Sequence, residues 1–248
     1  MAEKHFYEQR QFAERYLVPF LEEKIPDLQS KRVLEVGCAE AGLLDYLHQK
    51  GMSAVGIELE SARLATAQKL SPNVRTYAGD ITDETLLKTI PERFDLVIMR
   101  DVIEHIPNKK KALENIREFL NPGGYLFITF PPKYSPFAGH QQHARSFLKK
   151  TPYVSLLPGF LWYGLGRFLG ESEEFLESVM RNHQNGLSIR AFERLYRECG
   201  YQAVVRELFL SRPILKFRMG LPTIRFPQIP FFREFLATGC EYILQKTA

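Results

Sequence analysis

The ten residues Val33–Gly42, VLEVGCAEAG, decide the fold of this 248-residue chain. A short apolar run leads into a glycine turn, which is typical of a buried strand that ends at the start of a helix. The spacing follows the dinucleotide-binding pattern G-x-G-x-x-G at Gly37 and Gly42, but Ala39 stands at the second glycine. Glu35 precedes the turn, and a carboxylate there repels a pyrophosphate and favours a cation. The stretch therefore predicts an α/β fold with a loop for a ligand that has no pyrophosphate.

Strand and helix patterns alternate outward from this loop. Strands are predicted at residues 31–36, 53–57, 74–78, 94–99, 125–130, 203–210 and 240–245, and helices at 3–24, 41–50, 60–70, 83–89, 109–120 and 189–198. Asn121–Gly124, NPGG, is predicted to be a turn. Because strands that alternate with helices form right-handed βαβ units, we expect a Rossmann-like, doubly wound, mostly parallel seven-stranded sheet with helices on both faces.

Composition divides the chain into four predicted parts. Residues 1–30 form an N-terminal helical lid, and residues 31–130 form the cofactor-binding core. Residues 131–187, rich in proline, glycine and aromatic residues, form a substrate-binding cap inserted after strand five. Residues 188–248 complete the sheet, with an irregular proline-rich connection at 211–233.

The overall composition narrows the class of protein. The 33 basic and 29 acidic residues give a net charge of +4 without a basic arm, so there is no strong nucleic-acid signal. Three cysteines without a C-x-x-C pair argue against a disulfide framework or a zinc site and favour a reducing compartment. No apolar run reaches the roughly 18 residues of a membrane span, although residues 154–170 are apolar enough for peripheral membrane contact. We expect a cytoplasmic protein with optional membrane association and make no prediction of oligomeric state.

Acidic residues end the second and third predicted strands. Glu58 follows the loop by about 20 residues, where a carboxylate binds ribose hydroxyls, and Asp80 can accept a hydrogen bond from an adenine amino group. S-adenosylmethionine suits this set, because it joins an adenosine to a sulfonium and an ammonium and has no phosphate. The predicted cofactor-binding residues are Glu35, Gly37, Cys38, Ala39, Glu58, Leu59, Asp80, Ile81, Arg100 and Asp101.

Five motifs in this order resemble the class I S-adenosylmethionine-dependent methyltransferases: VLEVGCAEAG, GIELE, GDI, FDLVIMRDVIEHI and LNPGGYLFITFP. The resemblance covers residues 31–130, with weaker agreement at 186–210 and 240–246. Ala39 and Ala41 stand where the family usually has glycines. The resemblance implies an enzyme that transfers a methyl group and releases S-adenosylhomocysteine.

The segment that follows strand four carries the first candidates for catalysis. If it is helical, Asp101, Glu104 and His105 share one face by their i, i+3, i+4 spacing. His105 is then a general base. Alternatively, the three residues bind a divalent metal together with a later histidine. An E-x-x-E-H motif at this place resembles the metal-using RNA 2′-O-methyltransferases and the quinone O-methyltransferases. A purely structural role is the third option, and no metal site is assigned. His140 and His143 in the cap are further candidates for the base.

The acceptor is expected to be a small molecule methylated on oxygen, and apolar, quinol-like, lipid-linked and sugar-derived hydroxyls all fit. Trp162 is either core packing of the cap or the wall of an apolar acceptor pocket. Tyr7, Arg10 and Tyr16 are candidates to reach the carboxylate of the methionine part.

Three other functions compete with methyl transfer to a small molecule. A nicotinamide-dependent oxidoreductase is disfavoured by Glu35 and Ala39. The others are a non-catalytic S-adenosylmethionine-binding module and a metal-assisted RNA 2′-O-methyltransferase.

Overall fold

The computed structural model describes residues 2–138 and 141–247, and one eight-stranded sheet runs through it in the order β3-β2-β1-β4-β5-β8-β6-β7. Strands β1 to β5 are parallel, β8 is antiparallel to both β5 and β6, and β7 is antiparallel to β6. The strands are β1 (Val33–Val36), β2 (Ala54–Glu58), β3 (Arg75–Ala78), β4 (Phe94–Arg100), β5 (Leu120–Phe130), β6 (Tyr201–Ser211), β7 (Ile224–Phe226) and β8 (Gly239–Lys246). The predicted Rossmann-like α/β class with a mostly parallel sheet is confirmed.

Eleven α-helices connect and cover these strands within the described residues. They are α1 (Ala2–Phe12), α2 (Val18–Lys24), α3 (Gly42–Gln49), α4 (Ser61–Leu70), α5 (Thr85–Thr89), α6 (Lys109–Phe119), α7 (Gly159–Phe168), α8 (Glu173–Asn185), α9 (Ile189–Glu198), α10 (Pro213–Met219) and α11 (Phe232–Leu236). A π-helical segment, Ala13–Leu17, joins α1 to α2. Short 3₁₀ turns occupy Leu28–Ser30, Ile103–His105, Gln141–His143, Phe147–Lys150 and Val154–Leu156.

Apolar side chains cover both faces of the sheet. Residues that alternate along β4 point to opposite sides, so Val97 packs with α6 and α9 while Leu96 packs with the N-terminal helices and α3. Helix α9 has the sharpest amphipathic pattern, and it begins where the Ser188 hydroxyl accepts a hydrogen bond from the Ala191 amide. Because both faces are covered, ligands can reach the sheet only at its edges and at the strand ends.

The sheet has eight strands, so the predicted number of seven is wrong. The additional strand is β7, which lies in the 211–233 segment that was predicted to be irregular. Its three residues bond to the outer edge of β6 through their backbones, and prolines occur within two residues of both ends. A strand this short shows no alternation of apolar and polar residues, and therefore it leaves no periodic signal in the sequence.

The predicted NPGG turn lies inside the residues of β5. Phe94 of β4 pairs with Leu120, but Leu96 pairs with Tyr125, so four residues of β5 lie between two pairs that are separated by only one residue, Asp95, on β4. Gly123 adopts a left-handed φ of 72° among these four residues. The turn chemistry was therefore predicted correctly, while the strand begins earlier than the apolar pattern indicates.

The cap has a hydrophobic cluster of its own. Trp162 of α7 is completely buried against Leu176 and Val179 of α8. Its indole nitrogen donates a hydrogen bond of 3.1 Å to the Leu176 carbonyl. Trp162 is thus a core residue of the cap, which is the first of the two roles predicted for it.

Candidate active site

The loop after β1 adopts an unusual backbone conformation. Gly37, Ala39 and Ala41 have φ angles of 74°, 51° and 64°, all in the left-handed region. An alanine in that region costs roughly 1–2 kcal/mol relative to a right-handed conformation. The glycine spacing of the motif thus reflects a backbone that favours glycine, and the two alanines adopt the same backbone at a cost.

Two side chains hold this loop in place. The Glu58 carboxylate at the end of β2 accepts a hydrogen bond of 2.8 Å from the Ala39 amide and another of 3.0 Å from the Glu60 amide. Gln9 of α1 accepts a hydrogen bond from the Gly42 amide and donates one to the Cys38 carbonyl. Gln9 was missed in the sequence, although a glutamine between Phe6 and Phe12 on the apolar face of a helix is a detectable signal.

A cavity of about 610 Å³ opens at the carboxyl ends of β1, β2, β3 and β4, next to the point where the strand order reverses. One part of its wall consists of the β1 loop and the ends of β2 and β3. The opposite part consists of the segment after β4, the ends of β5 and β8, and the residues around α10. The cavity is lined by both polar and apolar side chains, including Glu58, Asp80, Ile81, Arg100, Asp101, His105, Thr129, Arg212, Ile214 and Glu241.

Eight of the ten predicted cofactor-binding residues line this cavity: Gly37, Ala39, Glu58, Leu59, Asp80, Ile81, Arg100 and Asp101. Leu59 is 68% exposed and Ile81 is buried, so they differ in how much surface they offer to a ligand. The Asp80 carboxylate accepts hydrogen bonds from the amide and the hydroxyl of Thr82. Both of these hydrogen bonds go to Oδ1 of Asp80 and leave Oδ2 out. Glu35 and Cys38 are buried beneath the loop and do not line the cavity.

Glu35 forms an ion pair with Arg100 under the β1 loop. The distance between Glu35 Oε1 and the Arg100 guanidinium is 3.1 Å, and Glu35 is only 1% exposed. Burial raises the pKa of Glu35 to about 7, although Arg100 opposes the change. Arg100 also lies over the Phe12 ring, with 5.6 Å between guanidinium carbon and ring centroid. Glu35 thus acts on the cavity through Arg100, which does line it.

The segment after β4 is not an α-helix. Asp101 has a left-handed φ of 53°, and only Ile103–His105 form a 3₁₀ turn. The face that Asp101, Glu104 and His105 were expected to share is therefore not formed. Asp101 turns toward Arg212, Glu104 is buried, and His105 lines the cavity.

Burial shifts the pKa values of Glu104 and His105. Burial raises the pKa of Glu104 well above its usual range, and the neighbouring Asp101 raises it further. Burial lowers the pKa of His105, against the opposing effects of Asp101 and of a hydrogen bond with Asn182 of α8. Burial therefore favours the uncharged form of both side chains. Neither oxygen of Glu104 has a hydrogen-bond partner.

The acceptor side of the cavity contains an ion pair that the sequence did not reveal. Arg212, which precedes α10, donates hydrogen bonds of 2.5 and 2.7 Å to the two oxygens of Asp101. The Thr129 hydroxyl donates a third, of 3.1 Å, to Asp101. Desolvation works against the charged form, but Arg212 and Thr129 hold the pKa of Asp101 below its ordinary value. Asp101 and Arg212 are 111 residues apart, so no local pattern could predict this pair.

His140 and His143 of the cap are the other predicted candidates for the base. His140 lies outside the described residues. His143 is exposed and does not line the cavity. The neighbouring Gln141 is completely buried and donates hydrogen bonds to the carbonyls of Pro136 and Thr151. Gln141, which lies between the two histidines in sequence, thus stabilises the cap.

The aromatic and basic residues proposed to reach the methionine carboxylate do not line the cavity either. Arg10 forms an ion pair of 2.8 Å with Asp45. Tyr7 is 55% exposed. Tyr16 donates a hydrogen bond of 2.7 Å to Glu241, which lines the cavity.

Metal-binding clusters and membrane-spanning helices are both absent from the part of the chain that the structure describes. No group of three or more histidine, cysteine, aspartate or glutamate side chains in 2–138 and 141–247 is arranged to hold a metal ion. Over the same residues, no helix has both the length and the apolar character needed to cross a membrane.

Comparisons with known proteins show which family the chain resembles. Residues 5–206 match a family model described as a methyltransferase domain. Over 114 residues the chain is 32% identical to the ubiquinone biosynthesis O-methyltransferase of Pseudomonas fluorescens (strain SBW25), an alignment that covers 45% of this chain and 49% of that protein. The corresponding protein of Pseudomonas putida (strain W619) is 31% identical with the same coverage. The chain thus spans about half the length of the curated relatives it matches.

Solved structures show the same fold at low identity. An S-adenosylmethionine-dependent methyltransferase from Mesorhizobium loti superposes with a TM-score of 0.58 at 12% identity, covering 92% of this chain and 96% of that one. A putative sarcosine dimethylglycine methyltransferase from Galdieria sulphuraria gives a TM-score of 0.57 at 15% identity, covering 96% and 86%. At these identities the likeness concerns the fold alone.

Proposed function

The chain belongs to the methyltransferase-domain family, and we propose that it transfers a methyl group from S-adenosylmethionine to a hydroxyl of a small-molecule acceptor, with S-adenosylhomocysteine as the second product. The observation that carries the proposal is that Glu58, Asp80 and the left-handed β1 loop line the same cavity. Carboxylates at these strand ends bind hydroxyl and amino groups and repel phosphates.

The cavity wall fits this cofactor. Glu58 and Asp80 supply acceptors for the ribose hydroxyls and the adenine amino group, and Leu59 and Ile81 supply apolar surface for the purine. Arg100 and Asp101 lie on the side where the methionine part and the acceptor are expected to meet. Glu35 and Cys38 would then act from beneath the loop by keeping Arg100 and the backbone in place.

The bound cofactor supplies a methyl group that is already activated by its positively charged sulfur. The protein therefore mainly has to orient the acceptor oxygen, exclude water and remove one proton. His105 is the base candidate from the sequence that lines the cavity, but its ring is hydrogen-bonded to Asn182 and burial lowers its pKa, which makes it a weaker proton acceptor. His143 points to a role outside the reaction centre.

The acceptor is proposed to be an apolar or lipid-linked hydroxyl compound. The ubiquinone biosynthesis O-methyltransferases that the chain resembles over part of its length support this class. The cap offers a surface that suits a lipid, because Phe160 and Phe168 of α7 are 76% and 86% exposed. Lys149 and Lys150 are also exposed in the cap and could contact anionic headgroups.

The cofactor assignment is tested by titrating S-adenosylhomocysteine into the wild-type protein and into E58A and D80A. Both variants should bind at least about tenfold more weakly, since each loses a hydrogen bond between a charged group and the ligand. D83A is the matched control, because Asp83 follows Asp80 closely but does not line the cavity. Unchanged affinity in E58A and D80A would refute the site, and preferential binding of NAD would favour the oxidoreductase alternative.

The methyl transfer is tested with S-adenosylmethionine that carries a radiolabelled methyl group. Phenol, catechol and hydroquinone are offered as acceptors, and a short duplex RNA is offered in parallel. We expect label in a phenolic product. Label in the RNA alone would favour the RNA 2′-O-methyltransferase, and tight cofactor binding with no labelled product would favour the non-catalytic module. Vesicles with anionic lipids, compared with F160S and F168S, test the cap surface.

A further inference from the structure

We propose that Glu241, supplied by the last strand of the sheet, accepts the proton that the acceptor hydroxyl loses, and that Tyr16 is its positioning residue. The inference rests on the proposed function and adds to it the side chain that faces the acceptor. Nothing in the sequence singled out Glu241, because its neighbours in space come from distant parts of the chain.

A polar row crosses the carboxyl end of the sheet on the side of the N-terminal helices. Arg100 of β4 pairs in register with Thr129 of β5, which is directly opposite Glu241 of β8. Glu241 is in turn opposite Glu207 of β6. Residues paired in this way project to the same face. The first three members of the row line the cavity, so the carboxyl group of Glu241 faces the chamber beside Asp101 and Arg212.

Glu241 is held by one hydrogen bond from a neighbouring element. The Tyr16 hydroxyl donates to Glu241 Oε2 at 2.7 Å, and the residue is only 5% exposed. Charged groups also face it from three other elements: Arg212 before α10, Glu207 on β6 and Asp101 after β4. Oε1 has no hydrogen bond among the contacts described for Glu241, which leaves an acceptor atom for a ligand in the cavity.

This environment suits proton transfer near neutral pH. Burial raises the pKa of Glu241 to about 7, while the Tyr16 hydrogen bond and Arg212 oppose a further rise. A general base is most effective when its pKa lies near the working pH. Asp101 is less suitable, because Arg212 and Thr129 occupy its oxygens and its pKa is lowered. His105 is engaged by Asn182 of the cap helix α8.

The proposed step moves one proton and one methyl group. The acceptor O–H bond breaks and its proton passes to the Glu241 carboxylate. The electron pair left on oxygen forms the new O–C bond to the methyl carbon, and the pair of the broken C–S bond returns to sulfur. The positive charge of the sulfonium and the negative charge of the carboxylate are both removed. Glu241 then releases its proton to water, which resets the site.

The test compares E241Q, Y16F and the matched control E207Q. Glu207 lies next to Glu241 in the sheet but pairs with Arg225 and does not line the cavity. For the phenol, catechol and hydroquinone panel, E241Q should lose about a hundredfold or more in kcat and should lose the acidic limb of the pH–rate profile. It should still bind S-adenosylhomocysteine normally. Y16F should move that limb to higher pH, because it loses a hydrogen bond that stabilises the carboxylate. E207Q should keep the maximal kcat of the wild-type protein and move the acidic limb to lower pH, opposite to Y16F, because the charge of Glu207 raises the pKa of Glu241.

A second readout does not depend on turnover. In protein labelled with ¹³C at the glutamate carboxyls, two resonances should titrate near pH 7. The one from Glu241 should disappear in E241Q and titrate at higher pH in Y16F. E35Q identifies the other carboxyl expected in this range. Wild-type kcat and pH profile in E241Q would overturn the inference, as would an ordinary midpoint for Glu241. If the wild-type protein binds S-adenosylhomocysteine but methylates no acceptor, the proposed function itself fails, whatever the Glu241 titration shows.

Discussion

Replacing Glu35 with glutamine should change how the stability of the protein depends on pH. Glu35 is 1% exposed, and one of its oxygens has no hydrogen-bond partner. Its pKa is raised from 4.5 to about 7 in the folded protein. Since each tenfold change in proton affinity corresponds to about 1.4 kcal/mol, the difference between folded and unfolded pKa amounts to about 3 kcal/mol.

The direction of the effect follows from the sign of the pKa change. A carboxyl whose pKa is raised on folding stabilises the folded state fully below pH 4.5, and this contribution is lost as the pH rises through 7. Glutamine does not titrate. The stability of E35Q relative to the wild-type protein should therefore increase by about 3 kcal/mol between pH 4.5 and pH 8.

The assay is urea-induced unfolding of both proteins at several pH values in this range, at constant ionic strength. E118Q, at an exposed position on α6, is the control and should follow the wild-type curve. A constant difference between E35Q and wild type would mean that the pKa of Glu35 is ordinary. A difference of opposite sign would mean that the Arg100 ion pair outweighs burial, which would refute the reasoning given for this site.

Four further substitutions test the packing around the site and the cap. G42A should weaken S-adenosylhomocysteine binding in a calorimetric titration, because its methyl group would lie 2.1 Å from the Phe6 carbonyl oxygen and would displace α1. W162A should lower the free energy of urea unfolding by about 3–5 kcal/mol, the usual cost of removing a buried aromatic side chain. G164A should raise the melting temperature, because its methyl group meets nothing within 4 Å and alanine favours the helix by up to about 1 kcal/mol. G166A in the same helix should lower it, because its methyl group would lie 2.2 Å from a leucine side chain of α8.

The part of the cavity wall that contains Glu58 and Asp80 was largely predictable from the sequence. Its residues follow three successive strands, so the pattern of β1, β2 and β3 was enough to place Glu58 and Asp80 at one edge. The left-handed positions of Ala39 and Ala41 left a visible trace, because they occur where glycine is expected. The error in strand number arose where β7 is too short for any periodicity.

The acceptor side was not predictable in the same way. Tyr16 and Glu241 are 225 residues apart, and Arg212 comes from a segment that appeared irregular. Asp101, Glu104 and His105 would share one face if their segment were helical, but the left-handed Asp101 precedes a 3₁₀ turn instead. Such contacts depend on the order of β5, β8 and β6 in the sheet, which short-range patterns do not encode.

The N-terminal helices link the two sides of the cavity. Gln9 holds the β1 loop, and Tyr16 holds Glu241. These residues are seven positions apart, which places them on the same side of a helix two turns apart. The π-helical segment Ala13–Leu17 includes Tyr16, and such segments occur mostly as single-turn bulges within α-helices, often at functional sites. A shift of α1 would therefore alter the cofactor loop and the proposed proton acceptor together. Helix α1 also lines the cavity itself through His5, Glu8, Gln9 and Phe12, so it forms part of the wall as well as fixing the geometry of both halves.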